Sequence, residues 1–288
     1  MVVSVQCNRW RASMQLLPDY WEGGHAGLVD VSVDIRDVVQ AFINRLIKPR
    51  FIGQGKDGMG MTHKSLEVTE VWRNENPILF ARYSDHMSRM RPVSGNRVKV
   101  ATLDTDVLNA EVGHWVNSLQ LDRSRHEVLL FHGAPRCGAF HWKRDRQTRA
   151  WKPGGQVADD AVEAILRNGF DLRLAHCGML GRGIYSADCP CKADRYALRA
   201  SQADSSVGEC AQMLICRVVL GRVYETDQKM TGVTRPPCEL GHTDMRMRCA
   251  HTRLDSVLYS RPGKYKEFVV YDQAQIYPEF LVKYRRSG

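Results

Sequence analysis

The chain has 288 residues, 43% of them hydrophobic and 25% charged, with a formal net charge of +9. That composition supports a sizeable core, and no stretch approaches the ~20 apolar residues needed to span a bilayer. The nine cysteines are odd in number and scattered, which argues against a secreted disulfide framework and for reduced thiols. The opening MVVSVQCNRWRASMQ breaks its apolar residues with Gln6, Asn8, Arg9 and Arg11. That is a poor signal-peptide core, so a cytosolic or nuclear setting with no membrane contact is expected. A basic surface suits an anionic ligand, whether a dinucleotide diphosphate, a nucleic acid or an acidic protein, and charge does not choose among them.

Residues 1–30 show no clear periodicity and include Gly23, Gly24 and Gly27, so a tail or loosely packed arm is expected, with the main domain over 31–288. Ile35, Val38, Val39, Phe42 and Leu46 recur at helical spacing behind Asp34 as a cap, and Pro49 fits the stop. Leu66, Val68 and Val71 suggest a strand. Pro77 then suits the first turn of a helix that turns Leu79, Phe80, Tyr83 and Met87 inward. A helix is expected over 106–119. The run EVLLF at 127–131 reads as a strand buried on both faces. A helix over 160–168 shows a capping-box pair, Asp160 and Glu163, and a glycine stop at Gly169. Another helix is expected from Pro190 to about Ala200. Strands follow at 213–223, 267–271 and 280–284. The segment 226–254 between the first two is long and irregular, and such a loop is usually functional or disordered. Helices early, antiparallel-looking strands late and no βαβ alternation give an α+β class.

Three short segments place a polar group beside glycine. In Phe131-His132-Gly133, a histidine ends a buried strand where the backbone can come close to a ligand. A lone strand-end histidine is more often structural. In Gly181-Arg182-Gly183-Ile184-Tyr185, two glycines permit close backbone approach and the tyrosine offers a flat face to a ring. By itself this is a plain turn, and the third glycine of a dinucleotide fingerprint is missing. Glu267 opens the apolar strand EFVVY, where a carboxylate must be exposed, hydrogen-bonded or functional.

Together, LLFHG, ILRNGFDLRLAHCGMLGRGIYSAD and YKEFVVYDQAQIYPEFLVKY, in that order, resemble the catalytic domain of the poly(ADP-ribose) polymerase (PARP) family. QMLICRVVLGRVY and, more faintly, SLEVTEVWRNENPILFARY extend the likeness over about residues 62–284. The resemblance implies a diphtheria-toxin-like ADP-ribosyltransferase fold, a largely antiparallel two-sheet core flanked by helices, with a His-Tyr-Glu triad. It implies that His132 holds the 2′-hydroxyl of the adenine ribose of NAD. Gly133 then binds the nicotinamide carboxamide through its backbone, and Tyr185 and Tyr196 cover the two faces of the nicotinamide. Arg173 would lie near the adenosine half, and Glu267 would be the catalytic glutamate. NAD is thus the implied donor and a protein the implied acceptor, with no metal required.

The pattern departs from the family in places. Ala193 and Ala134 replace residues that are often hydroxylated in relatives, removing polar contacts worth roughly 1 kcal/mol each. The stretch 173–181 is short for the family's donor-site loop. Cys210 and Cys216 lack the spacing of a zinc site found in some relatives, and Cys189 and Cys191 read as free thiols. A basic insertion over 136–157 interleaves Arg136, Lys143, Arg144, Arg146, Arg149 and Lys152 with Phe140, Trp142 and Trp151. It is a possible grip on single-stranded nucleic acid, although a solvated loop is the commoner outcome of such a composition.

Overall fold

The computed structural model describes residues 17–21, 27–52, 61–95, 97–133, 142–144, 151–153, 161–175, 177–197, 208, 210–243 and 249–288. In chain order they form β1 (Gly27–Asp30), α1 (Ser32–Leu46), β2 (Ser65–Glu75), α2 (Pro77–Arg89), α3 (Ala110–Ser118) and β3 (Glu127–His132). Next come the short strands β4 (Trp142–Arg144) and β5 (Trp151–Pro153), then α4 (Ala161–Asn168). The hairpin strands β6 (Cys177–Gly178) and β7 (Gly181–Arg182) lead into β8 (Ile184–Ala187) and α5 (Pro190–Asp194). β9 (Cys210–Val219), β10 (Val223–Thr226), β11 (Ser256–Tyr259), β12 (Glu267–Val270) and β13 (Ile276–Ser287) complete the chain. The class is α+β.

Nine strands form one sheet in the order β1-β2-β13-β9-β3-β8-β12-β11-β10. All neighbours are antiparallel except the parallel pair β10–β11. The ladder between β3 and β8 is a single pair, Phe131 opposite Ala187, whereas β3 pairs along its whole length with β9. The expected two-sheet core is therefore two halves, five strands and four, joined at one seam.

Both faces of the central strands are covered, which is why their sequences are continuous apolar runs. Leu129 and Phe131 of β3, Met213 and Ile215 of β9 and Val282 of β13 meet Val39, Phe42, Ile43 and Leu46 of α1, with Val112 and Val116 of α3. On the opposite face Val128, Leu130, Leu214, Cys216 and Val218 meet Val162 and Leu166 of α4. The α1 residues fall at i, i+3, i+4 and i+7, so one stripe of the helix is buried.

Several boundaries differ from the sequence expectation. Gly27–Asp30, inside the expected arm, is an edge strand on β2, and Trp21 is buried against Phe80. α1 opens two residues before Asp34, and Asp30 accepts the Ser32 N–H at 2.9 Å. α3 begins at Ala110 because Asn109 caps it, accepting from the Val112 N–H at 3.1 Å. β9 stops at Val219, and Gly221, with φ of 57°, turns the chain into β10. α5 ends at Asp194, with Arg195–Ala197 in a turn where the helix was expected to continue, and residues 198–200 lie outside the described residues, as do Ala134 and Asp160. Of the basic insertion, only the backbone ladder β4–β5 is described, so its side chains lie outside the described residues too. Among the described residues no helix is long and apolar enough to cross a membrane.

Candidate active site

The three glycine-flanked segments converge at the seam. Phe131 stands opposite Ala187, and Ala187 stands opposite Glu267. One residue past the seam, Nδ1 of His132 lies 2.8 Å from the main-chain oxygen of Tyr185. A carbonyl only accepts, so the proton sits on Nδ1 and Nε2 keeps its lone pair. The ring packs edge-on against Phe170, with centroids 4.9 Å apart at 87°. Burial lowers the His132 pKa from its usual 6.5, and the Tyr185 carbonyl only partly opposes this. The imidazole is therefore neutral at pH 7.

Tyr185 is tethered at its far end. Its hydroxyl donates to the Gly181 oxygen and accepts from the Leu180 N–H, both at 2.8 Å, so the β6–β7 turn fixes the ring. Burial pushes the phenol pKa up to about 12, so it stays protonated. The turn is backed by the long loop after β10, where the Val233 oxygen accepts the Arg182 N–H at 2.7 Å. Gly181 has a φ of 82°, and a Cβ there would lie 1.9 Å from that same oxygen. The close approach expected of this glycine-flanked turn is thus made to protein backbone.

Glu267 begins β12 with a carboxylate oxygen 3.3 Å from Nζ of Lys192, the two side chains being 13% and 11% exposed. Lys192 also donates to the Tyr196 hydroxyl at 3.0 Å and stands 5.0 Å over that ring. The sequence reading passes over this lysine. Its legible signal is the i, i+4 spacing to Tyr196, which puts both on one face of a helical turn.

α5 is pinned from behind. Asp194 receives the Tyr284 hydroxyl at 2.5 Å and Arg286 Nη2 at 2.8 Å, and its other oxygen lies 3.1 Å from His63 Nε2. Burial works to raise the Asp194 carboxyl, but His63, Arg286 and Tyr284 outweigh it and hold the pKa below its usual value. From the front, a Cβ on Gly133 would lie 1.8 Å from the Ala193 oxygen, so only glycine lets α5 and the end of β3 meet.

Arg173 is not gathered into this group. It sits on an exposed turn, its guanidinium bound to Asp171 at 2.7 Å, with the side chain 90% exposed. Cys189 and Cys191 are buried beside Phe51 and Tyr265, and the Cys191 sulfur accepts the Lys48 N–H at 3.2 Å. Among the described residues one group has the make-up of a metal site: Cys238, His242, Cys249 and His251, in the loop between β10 and β11. None of its cysteines is among those weighed in the sequence, and it reopens the expectation that no metal is bound.

Residues 157–286 match the family model of the poly(ADP-ribose) polymerase catalytic domain. This part of the chain is of the ADP-ribosyltransferase class. Within that class it belongs to the PARP family, whose members use NAD as substrate. Arg173, Tyr185, Lys192, Tyr196 and Glu267 lie inside the match. His132 and Gly133 precede it, joined to it by the β3–β9 ladder and the His132–Tyr185 bond.

Proposed function

We propose that the domain cleaves NAD at the nicotinamide–ribose bond and transfers ADP-ribose to an acceptor, a protein in the first instance. The observation that carries this reading is the seam, where His132, Tyr185 and Glu267 stand on neighbouring strands with Lys192 against the carboxylate. Breaking the glycosidic bond builds positive charge on the ribose, as in glycoside hydrolysis. A carboxylate aimed at that charge and at the ribose 2′-hydroxyl stabilises the transition state more than the ground state. Glu267 takes this role, and Lys192 orients its oxygens. Neutral His132 accepts a hydroxyl of the adenine ribose at Nε2. Tyr185, held by its hydroxyl, stacks on the nicotinamide, and Tyr196 covers the other face. Gly133 contributes backbone groups to the carboxamide, and Arg173, paired with Asp171 on an exposed turn outside this group, meets the adenosine half only on leaving that partner.

The test combines calorimetry with nicotinamide release. Glu267→Gln should bind NAD with near-normal affinity and release nicotinamide about 10²–10³-fold more slowly, the usual loss for an electrostatic group at a developing charge. Release at the wild-type rate would remove Glu267 from the chemistry. NAD bound by the wild type without release would instead indicate a binding module on the same fold.

A further inference from the structure

We propose that Cys238, His242, Cys249 and His251 form a structural zinc site that clips the loop between β10 and β11. The spacing is C-x₃-H-x₆-C-x-H, and the four ligating atoms all lie within 4.8 Å of one another. The Cys249 sulfur is 3.2 Å from Nδ1 of His251 and 3.5 Å from Nδ1 of His242. Tetrahedral zinc, with Zn–S of about 2.3 Å and Zn–N of about 2.0–2.1 Å, separates its ligand atoms by roughly 3.3–3.8 Å. The 3.2 and 3.5 Å spacings are already close to that range, and the widest, within 4.8 Å, would close by about 1 Å around an ion.

Hydrogen bonding alone accounts poorly for this group. A thiol is a weak donor and its sulfur a weak acceptor, so Cys249 meets the two imidazole nitrogens facing it only weakly, and only if the two rings take different tautomers. A divalent cation satisfies both nitrogens and both sulfurs, and its binding releases the thiol protons. Two thiolates and two imidazoles are the borderline-soft set that selects zinc over calcium or magnesium.

Among the described residues the loop is otherwise tied mainly by main-chain bonds, such as Glu239 N–H to the Thr252 oxygen and Leu254 N–H to the Pro237 oxygen, both at 3.0 Å. Parallel strands need a long crossover, usually a helix. Here residues 227–255 cross over with one isolated bridge, Cys238 to Arg253, as their regular structure among the described residues. The buried hydrophobic side chains described there are Val233 and Cys238, too few for a core of their own. A four-ligand site closes the loop and leaves no position open for substrate, so its role is structural. It reaches the active site indirectly. Met230 and Val233 of the same loop bond the backbone of Met179 and Arg182, the turn that holds Tyr185.

The site does not depend on the proposed activity, and the full chain tests it directly. Metal-free protein prepared under reducing conditions is titrated with cobalt(II) alone. One equivalent should bind, giving the absorption of tetrahedral cobalt with a thiolate charge-transfer band, and zinc should displace it stoichiometrically. Elemental analysis of protein purified without chelator should find about one zinc per chain. Cys249→Ser and His251→Ala should lose the band, and Cys189→Ser should keep it. Absence of the band in the wild type would overturn the site, as would a band that survives both Cys249→Ser and His251→Ala. Should those variants fail to fold, limited proteolysis of the wild type decides. Chelator should speed cleavage within 227–255, and an unchanged rate would count against the clip.

Discussion

At His132, burial and one carbonyl decide the proton count. The ring is neutral because burial disfavours its charged form, and its Nδ1–H is committed to the Tyr185 oxygen. Two consequences follow for measurement. NAD affinity should be flat from alkaline pH down to the ordinary histidine value near 6.5 and fall only below it, as protonation consumes the Nε2 acceptor. The fold has the matching dependence. The unfolded chain binds this proton first, so the stabilisation is fully present above the unfolded value and is lost as pH falls towards the lower folded value. Titrations of denaturant midpoint should show that slope in the wild type and a shallower one in His132→Gln, the remainder coming from His126, whose pKa burial also lowers. His132→Ala should weaken NAD binding about tenfold, and calorimetry showing unchanged affinity would remove it from the ribose site. At this scale the sequence was informative about identity and silent about partners. Glu267 and Tyr185 are visible as polar groups at strand ends. Lys192 is not, because what brings it to Glu267 is the fold of β12 beside β8 and not spacing along the chain.

At the scale of elements, the site is the place where two halves of a sheet meet at one residue pair and a short helix packs across the gap. α5 is too short to hold itself, since helices of this length are marginal alone. It is held by Asp194 behind and by contact with Gly133 in front. Gly133→Ala must push the Ala193 backbone away, displacing Lys192 and Tyr196 with it. This variant should fold with reduced stability and lose most nicotinamide release. Wild-type turnover in Gly133→Ala would show that α5 does not position the site. Element existence was legible wherever a periodic apolar stripe ran for two turns or more, as in α1, α2 and α4, whereas the cap expected at Asp34 was not, since that residue lies inside α1. The start of α3 was not, because the residues from 106 expected in the helix belong to a separate turn, where Asp104 accepts the Asp106 N–H at 3.0 Å, before Asn109 opens the helix. The seam itself could not be read, since strand order depends on non-local pairing.

Across the whole molecule, stability rests on a sheet covered on both faces and on a buried charge cluster at its centre. Arg217 of β9 reaches Glu127 of β3 at 3.1 Å and Glu279 of β13 at 3.2 Å, all three at most 5% exposed. Tyr83 and Tyr20 donate to the same two carboxylates at 2.8 Å, and Arg217 also donates to the Leu119 oxygen. The cluster ties three adjacent strands to α2 and to the segment before β1. Arg217→Met leaves two buried carboxylates without their cation and should cost about 3–5 kcal/mol, read as a lower denaturant midpoint at constant slope. A change under about 1 kcal/mol would mean that water reaches the cluster. In the sequence, Arg217 looks like an interruption of MLICRVV. Its partners lie 90 and 62 residues away, so only the folded sheet explains it.

The transfer reaction is tested most directly by incubating the purified chain with NAD labelled in its adenine half, beside Glu267→Gln, and separating the protein on a denaturing gel. Label should become covalently attached to protein in the wild-type reaction and be nearly absent with Glu267→Gln. A sharp band would indicate single ADP-ribose units and a smear would indicate chains. Label that attaches equally in both reactions, or NAD that binds the wild type and remains intact, would contradict the account.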